Sequence, residues 1–294
     1  MPTTGRERIV IVGAGVVGLA KGRALSARGH DVSYVDASTA RCRELAVLGL
    51  DGRTTFESRR EPTIYLVCVP TPSSRDGFDL AILRESLGDL GAALPARGPR
   101  QLVVVCSTVP PGCTNDVVIP ALERASGLSH GSDFDVAAMP EFLRAHRADH
   151  DANEPWITVI AAPDGATRER LRSVFEPFGG ELRTSPSFEV AELVKVTHNA
   201  YNAAKISFFN EIFLIGRALG VDGNEVSEIV SHSAEASRNR AYGIRGGASF
   251  EGDCLPKDLD GLIAFAAAHH VPTPVLRATR EVNESMGAPV SPES

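Results

Sequence analysis

The chain has 294 residues, 43% of them hydrophobic and 23% charged, which is enough for one large or two medium domains with a buried core. A formal net charge of −7 argues against nucleic acid as a partner, because phosphate binding normally shows as a basic surplus. No apolar run reaches the ~18 residues that span a bilayer, so no membrane segment is expected.

The apolar stretch 9–20 is interrupted by glycines and follows Arg6, Glu7 and Arg8. Without a small-residue cleavage site it reads as a strand and turn, not a signal peptide, which points to the cytoplasm. Five cysteines (Cys42, Cys68, Cys106, Cys113 and Cys254) are odd in number and lack the close pairing of a zinc site. Neither a disulfide frame nor a metal centre is expected.

In chain order, candidate strands at 9–12, 32–35, 64–69, 102–106, 136–138 and 156–161, with an edge strand at 181–184, alternate with helical stretches. Those stretches lie at 17–28, 40–48, 80–90, 115–125 and 166–175. The alternation predicts βαβ units, and so an α/β fold built on a doubly wound parallel sheet. The runs 64–69 and 102–106 are almost wholly apolar, as parallel strands covered on both faces are. The texture changes near Ser185. Residues 188–219 carry one helical pattern without proline, and without glycine before Gly216. It is too long for a crossover helix and predicts the spine of an all-helical domain. Shorter helices are expected at 224–232 and 259–269, and a last one from Pro274 to Gly287, with a loose tail at 288–294. The expected domains are 1–186 and 187–294.

Gly13-Ala14-Gly15-Val16-Val17-Gly18 follows the first strand and opens a helix. Gly13 permits the tight turn, Gly15 admits a pyrophosphate, and Gly18 lets helix and strand pack, a Rossmann-type arrangement with the helix N-terminus facing the phosphates. Asp36 ends the second strand, where a carboxylate accepts bonds from adenosine ribose hydroxyls and repels a 2′-phosphate; NAD is expected over NADP.

Two further strand ends read Cys68-Val69-Pro70-Thr71-Pro72 and Cys106-Ser107-Thr108-Val109-Pro110-Pro111-Gly112. Loops after the carboxyl ends of parallel strands line the ligand crevice. The hydroxyls of Thr71, Ser107 and Thr108 therefore reach a cofactor or substrate, unless the segments are only proline-stiffened turns. Cys68 and Cys106 read as core filler. In Pro140-Glu141-Phe142-Leu143-Arg144, Glu141 is either a general base or a helix cap.

On the long helix stand Glu192, Lys195, Asn199, Asn210 and Glu211. Lys195 and Asn199, spaced i, i+4, share a face with Ala191, Asn202 and Ala203, which suits a cleft lining or a solvated surface. Gly252-Asp253-Cys254-Leu255-Pro256-Lys257-Asp258 reads as a loop in which a nearby cation favours the thiolate of Cys254.

Taken in order, these motifs resemble the UDP-glucose/GDP-mannose dehydrogenase family over about residues 8–286. The helix at 191–211 and the CLPKD run at 254–258 carry most of the resemblance. Tyr242 and Arg245, set before that run, are closer to the GDP-mannose branch. The resemblance implies a four-electron oxidation of a primary alcohol to a carboxylate with two NAD⁺ and Cys254 as nucleophile. It implies that Lys195 and Asn199 stabilise oxyanion charge. Asp258 would position water, Glu141 would act as hydrolytic base and Thr108 would orient it. For the cofactor it implies contacts from Gly13, Gly15, Val17, Gly18, Asp36, Arg41, Val69, Pro70, Thr71, Ser107, Thr108 and Lys257. For a sugar-nucleotide, sugar or nucleoside-like substrate it implies Phe142, Leu143, Arg144, Lys195, Asn199, Arg245 and Cys254. A homodimer is implied as well.

The chain departs from the family pattern at Ala145, where a glutamate is usual, and at Glu251 and Asp253. These two carboxylates oppose a thiolate at Cys254 and repel a phosphorylated ligand. Family members continue into a third domain that holds the nucleotide. A chain ending at Ser294 implies a smaller substrate, or a site completed by another chain. Two rival readings are a two-electron dehydrogenase of a smaller alcohol and a catalytically silent NAD-binding partner subunit.

Overall fold

The structure, a computed structural model, describes residues 5–75, 77–244, 246–252 and 254–287. Arg245, Asp253 and the tail 288–294 lie outside the described residues. The chain divides between His198 and Asn199 into two compact units.

In the first unit, runs rich in β-branched and aromatic residues form β1 (Arg8–Val12), β2 (Asp31–Val35) and β4 (Thr63–Val67), with the two-residue β3 (Gly52–Arg53) before β4. A separate antiparallel hairpin, β5 (Ser73–Ser74) with β6 (Gly77–Phe78), follows. Then come β7 (Gln101–Val105), β8 (Phe134–Ala138), β9 (Ile157–Ala161) and β10 (Glu181–Ser185). The intervening helices are α1 (Val16–Ala27), α2 (Thr39–Val47), α3 (Ala81–Ala93), α4 (Ile119–Ser126), α5 (Ala148–Asn153) and α6 (Gly165–Phe175).

Among the described residues, eight strands form one sheet in the order β10-β9-β8-β7-β4-β1-β2-β3. From β1 the chain winds first toward β2 and β3, then to β4 and onward on the other side. The order reverses between β1 and β4, which is where such sheets open a ligand crevice. Every residue of β4 and β7 is buried. From one face of α3, Leu83, Leu87 and Leu90 at i, i+4 and i+7 are fully buried, each contributing about 1.5–3 kcal/mol.

Within this sheet the strands pair in parallel except β8 with β9. Segment 139–156, which joins that antiparallel pair, therefore begins and ends at one end of the sheet. It is the end where β1, β4 and β7 also finish.

The expected sheet and its crossover helices are present, with local differences. The ladder of β4 stops at Val67, two residues short of the expected end, because Pro70 has no N–H and restrains the residue before it. The helix expected at 115–125 opens as a wide π turn, Thr114–Val118, before α4. Pro120, which cannot donate its share of the regular ladder, follows directly. β3, the hairpin and α5 are too short to show a period in sequence.

The second unit contains the later part of α7 (Phe188–Leu219), then α8 (Gly223–Ser233), α9 (Glu235–Arg238), α10 (Leu255–Ala268) and α11 (Pro274–Gly287). Its core is Ile215, Ile263, Ala266 and Leu276, with Phe208, Ile212 and Leu262 packed against it. The bounds of α7 are those its sequence predicts. By contrast, α10 starts at Leu255, not at 259, with Pro256 in its first turn. Proline there needs no N–H partner and already has a helical φ. The Glu211 carboxylate accepts hydrogen bonds from the Val275 and Leu276 N–H groups, 2.5 and 3.1 Å away, and so caps α11. Among the described residues, no helix is long and apolar enough to cross a membrane.

Candidate active site

The glycine turn sits at the carboxyl end of β1. Gly13 has φ +89, and a Cβ there would lie 2.9 Å from the Cys68 carbonyl oxygen at the end of β4. A Cβ on Gly18 would come within 2.0 Å of the Gly13 oxygen. Gly15, in contrast, is exposed and faces open space. Its side of the turn is therefore open to a ligand's approach.

Asp36 locks the turn: it accepts the Ala14 N–H at 2.8 Å and the Ser38 N–H at 2.9 Å. The Arg41 guanidinium reaches the Ala14 carbonyl at 2.6 Å and pairs with Glu44. Beside them a cavity of about 150 Å³ is lined by Gly13, Asp36, Phe56, Val69, Pro70 and Ile82. Glu85 and Asp89 also line it; with Asp36 at one side and Phe56, Val69, Pro70 and Ile82 as an apolar wall, it suits a ribose and a flat base, so the residues present fit the adenosine half of a dinucleotide.

The two proline-rich turns are tied to each other. Thr71 Oγ1 donates to the Thr108 carbonyl, and Ser107 Oγ donates to the Val69 carbonyl at 2.7 Å. Ser107 is buried and Thr108 half-buried. The protons of Thr71 and Ser107 therefore hold the crevice wall together, and only their lone pairs are left for a ligand. The base of the second turn is clamped from α7. Glu192, 2% exposed, accepts from Gly112 N–H (2.6 Å), Thr114 N–H (2.7 Å) and Thr114 Oγ1 (2.6 Å).

At the carboxyl end of β8, Glu141 is not a helix cap. Its carboxylate pairs with the ammonium of Lys21 from α1. Next to it Phe142 is buried, with the Lys195 Nζ 5.4 Å from its ring centroid and the His198 ring edge-on at 5.1 Å. Burial lowers the Lys195 pKa, with the Glu141 charge opposing. Burial, then the Lys195 charge, lower that of His198. An ammonium in partial desolvation with a carboxylate nearby is suited to stabilising charge that develops on a substrate oxygen.

Leu143 is half-buried. Arg144 grips Asp151 through Nε (2.9 Å), Nη2 (2.7 Å) and its own N–H (3.0 Å). Asp151 is 2% exposed, and the Arg144 side chain holds its carboxyl well below the usual carboxylate range. Such a group stabilises the fold above its unfolded pKa of about 3.9, and this is lost as pH falls through the depressed native value. Asp151→Asn is expected to lower the urea midpoint at pH 7, with the gap to wild type closing below about pH 4. A gap that stays constant with pH would show that the charge of Asp151 is not what matters.

In the second unit, Cys254 is exposed and immediately precedes α10, whose Asp258 N–H donates to the Cys254 carbonyl at 2.9 Å. It therefore stands at a helix N-terminus and not in an open loop. Lys257 Nζ is 2.6 Å from Asp258 Oδ1, both side chains being exposed. Asn199, also exposed, is on α7.

The sequence alone does not single out Lys21, Asp151 or His198. A lysine among Val, Gly, Leu and Ala in the first crossover helix was the available signal for Lys21. Asp151 and His198 acquire their partners only through folding of the segments around them.

The NAD-binding domain model of the UDP-glucose/GDP-mannose dehydrogenase family matches residues 46–179, and its central-domain model matches residues 189–285. A GDP-mannose 6-dehydrogenase of Pseudomonas putida is 37% identical over 300 residues, 95% of this chain and 68% of that protein. A UDP-glucose 6-dehydrogenase of Haloferax volcanii is 32% identical, over 93% of this chain and 69% of that protein. A GDP-mannose dehydrogenase from Pseudomonas aeruginosa, solved as a ternary complex, superposes with a TM-score of 0.88 at 35% identity, covering 95% of this chain and 69% of that one. The chain belongs to the UDP-glucose/GDP-mannose dehydrogenase family and carries its NAD-binding and central domains.

Proposed function

We propose that the chain oxidises the primary alcohol of a nucleotide sugar to the carboxylate, with NAD⁺ as oxidant and Cys254 as covalent nucleophile. The observation that carries the reading is the cluster of Glu141, Phe142 and Lys195 at the carboxyl end of β8, in a chain whose family acts on such alcohols. Relatives named for GDP-mannose and UDP-glucose support a sugar nucleotide as substrate, GDP-mannose first.

Gly13, Gly15, Val17, Gly18, Asp36, Arg41, Val69, Pro70, Thr71, Ser107, Thr108 and Lys257 hold the dinucleotide in this reading. Bound NAD⁺ supplies the two-electron acceptor for each of the two oxidations. The first oxidation turns the alcohol into an aldehyde, its C–H hydrogen leaving as hydride to the oxidant and its hydroxyl proton passing to water. Cys254 sulfur then bonds to the aldehyde carbon, and the thiol proton ends on the oxygen to give a thiohemiacetal. The second oxidation converts this adduct to a thioester, the C–H hydrogen leaving as hydride to the oxidant and the hydroxyl proton passing to water. Water adds to the thioester carbon, the C–S bond breaks, and the proton released by water passes to Glu141, with Thr108 and Asp258 orienting the attack. Lys195 and Asn199 donate to the oxygen that carries negative charge at each stage. Phe142, Leu143, Arg144 and Arg245 contact the substrate, and the working form is a homodimer.

The test is stoichiometry. Protein with NAD⁺ and GDP-mannose or UDP-glucose is expected to form two NADH per carboxylate. One NADH per aldehyde would replace the proposal by a two-electron dehydrogenase. NAD⁺ binding without NADH across a panel of sugar nucleotides, sugars and nucleosides would point to a silent partner subunit.

A further inference from the structure

We infer that Lys21 is a positioning residue for Glu141: its buried ammonium pairs with that carboxylate and holds it in place beside Lys195. The inference rests on the role of hydrolytic base proposed above for Glu141.

Lys21 lies in α1, whose other buried positions are Gly18, Ala20, Gly22, Ala24 and Leu25. It is 8% exposed, and an ammonium there is tolerated only when paired. Its partner is Glu141 Oε1, and its Nζ is 5.0 Å from the Phe175 ring centroid. Burial, the largest influence, pushes the Lys21 pKa down, yet the Glu141 charge and hydrogen bond together with the Cys106 and Cys68 thiols outweigh it and the value is raised, so the amine stays charged. Beside the pair is a cavity of about 20 Å³ lined by Leu25, Pro140, Asp151, Thr158, Phe175 and Phe178, room for about one water. The Lys21 and Glu141 side chains are only 9% and 15% exposed, so bulk water screens the pair weakly.

The titratable groups around Glu141 are Lys21 from α1, Lys195 from α7 and the Cys106 thiol after β7, with Asp151 of α5 on the same cavity. Asp151 is committed to Arg144. A base must be unprotonated before it acts, and removing an ammonium beside a carboxylate disfavours the charged form. Because the Lys21 ammonium takes Oε1, Oε2 is the oxygen that receives the proton from water.

Two measurements test this. In urea unfolding of wild type, Lys21→Met, Glu141→Gln and the double variant, each single change is expected to destabilise. The double variant should lose less than the two losses added. In the second measurement, Lys21→Met is expected to move the acid limb of carboxylate release upward by roughly one to three pH units with KM for NAD⁺ unchanged. Lys21→Arg should leave the limb in place. Additive losses, or a limb that stays put in Lys21→Met, overturn the inference. Should Lys21→Met fail to fold, Lys21→Gln is read in the same two ways. Wild type that binds NAD⁺ but releases no carboxylate overturns the proposed function, while the unfolding cycle still decides whether Lys21 holds Glu141.

Discussion

Cys254→Ser is expected to bind NAD⁺ normally and to form carboxylate at least about 10³-fold more slowly than wild type, as loss of a covalent nucleophile does in other enzymes. Two independent features motivate this. Cys254 is exposed and so is available to a substrate, unlike Cys106 and Cys113, which are buried. It also precedes α10 directly, where the helix's free N–H groups present partial positive charge. A serine hydroxyl is a much poorer nucleophile at neutral pH, so the aldehyde should not be captured and the second NADH should not appear. The cofactor contacts assigned to the glycine turn, Asp36 and the proline-rich turns belong to the first unit, so NAD⁺ affinity serves as the internal control. The decisive measurement pairs NADH absorbance with mass-spectrometric quantitation of the acid and of an acyl adduct on Cys254. Full-rate acid production by the serine variant would remove the covalent mechanism.

Glu192→Ala is expected to produce the largest loss of stability in the first unit, about 3–5 kcal/mol. Its carboxylate satisfies two backbone N–H groups and one hydroxyl in an almost fully buried place, and each orphaned donor costs about 1–3 kcal/mol. Alanine supplies no acceptor, and the site is too enclosed for bulk water to substitute. Glu192→Gln keeps the shape but turns an NH₂ toward N–H donors, so it should fall between wild type and alanine. The loss has a functional side, because Gly112 ends the turn that begins at Ser107. Freeing that end should loosen the turn against the Cys68–Pro72 segment and raise KM for NAD⁺. Urea unfolding together with NAD⁺ titration checks both. A variant with unchanged midpoint would mean that the buried carboxylate contributes nothing net.

The Cys254 change acts on chemistry and leaves the crevice alone. The Glu192 change acts on the scaffold of the crevice and leaves the nucleophile untouched. Measured together they separate loss of a reacting atom from loss of the frame, which a single activity assay cannot do.

The parallel sheet, its crossover helices and the helix 188–219 were legible in the sequence because local signals state them. Apolar runs mark β4 and β7, the spaced glycines mark the turn after β1, and an uninterrupted period marks α7. The thiol at Cys254 and the chain's family were legible too, because short motifs hold their residues at fixed spacing whatever surrounds them. Partner choice was not. Glu192 and Glu211 read alike, as polar positions on one helix, yet each closes on backbone N–H groups far away in the chain. Arg144 and Ser107 read as ligand contacts, and the Nε and Nη2 of Arg144 and the hydroxyl of Ser107 also bond to the protein. Glu141 read as a base or a cap, and what defines it is an ammonium 120 residues earlier. A buried charge takes whichever opposite charge the packing brings to it, and burial is set by the whole fold. The sequence by itself therefore determined which elements form and which reactive side chains are available. Only the tertiary structure decided which of those side chains are already committed to one another.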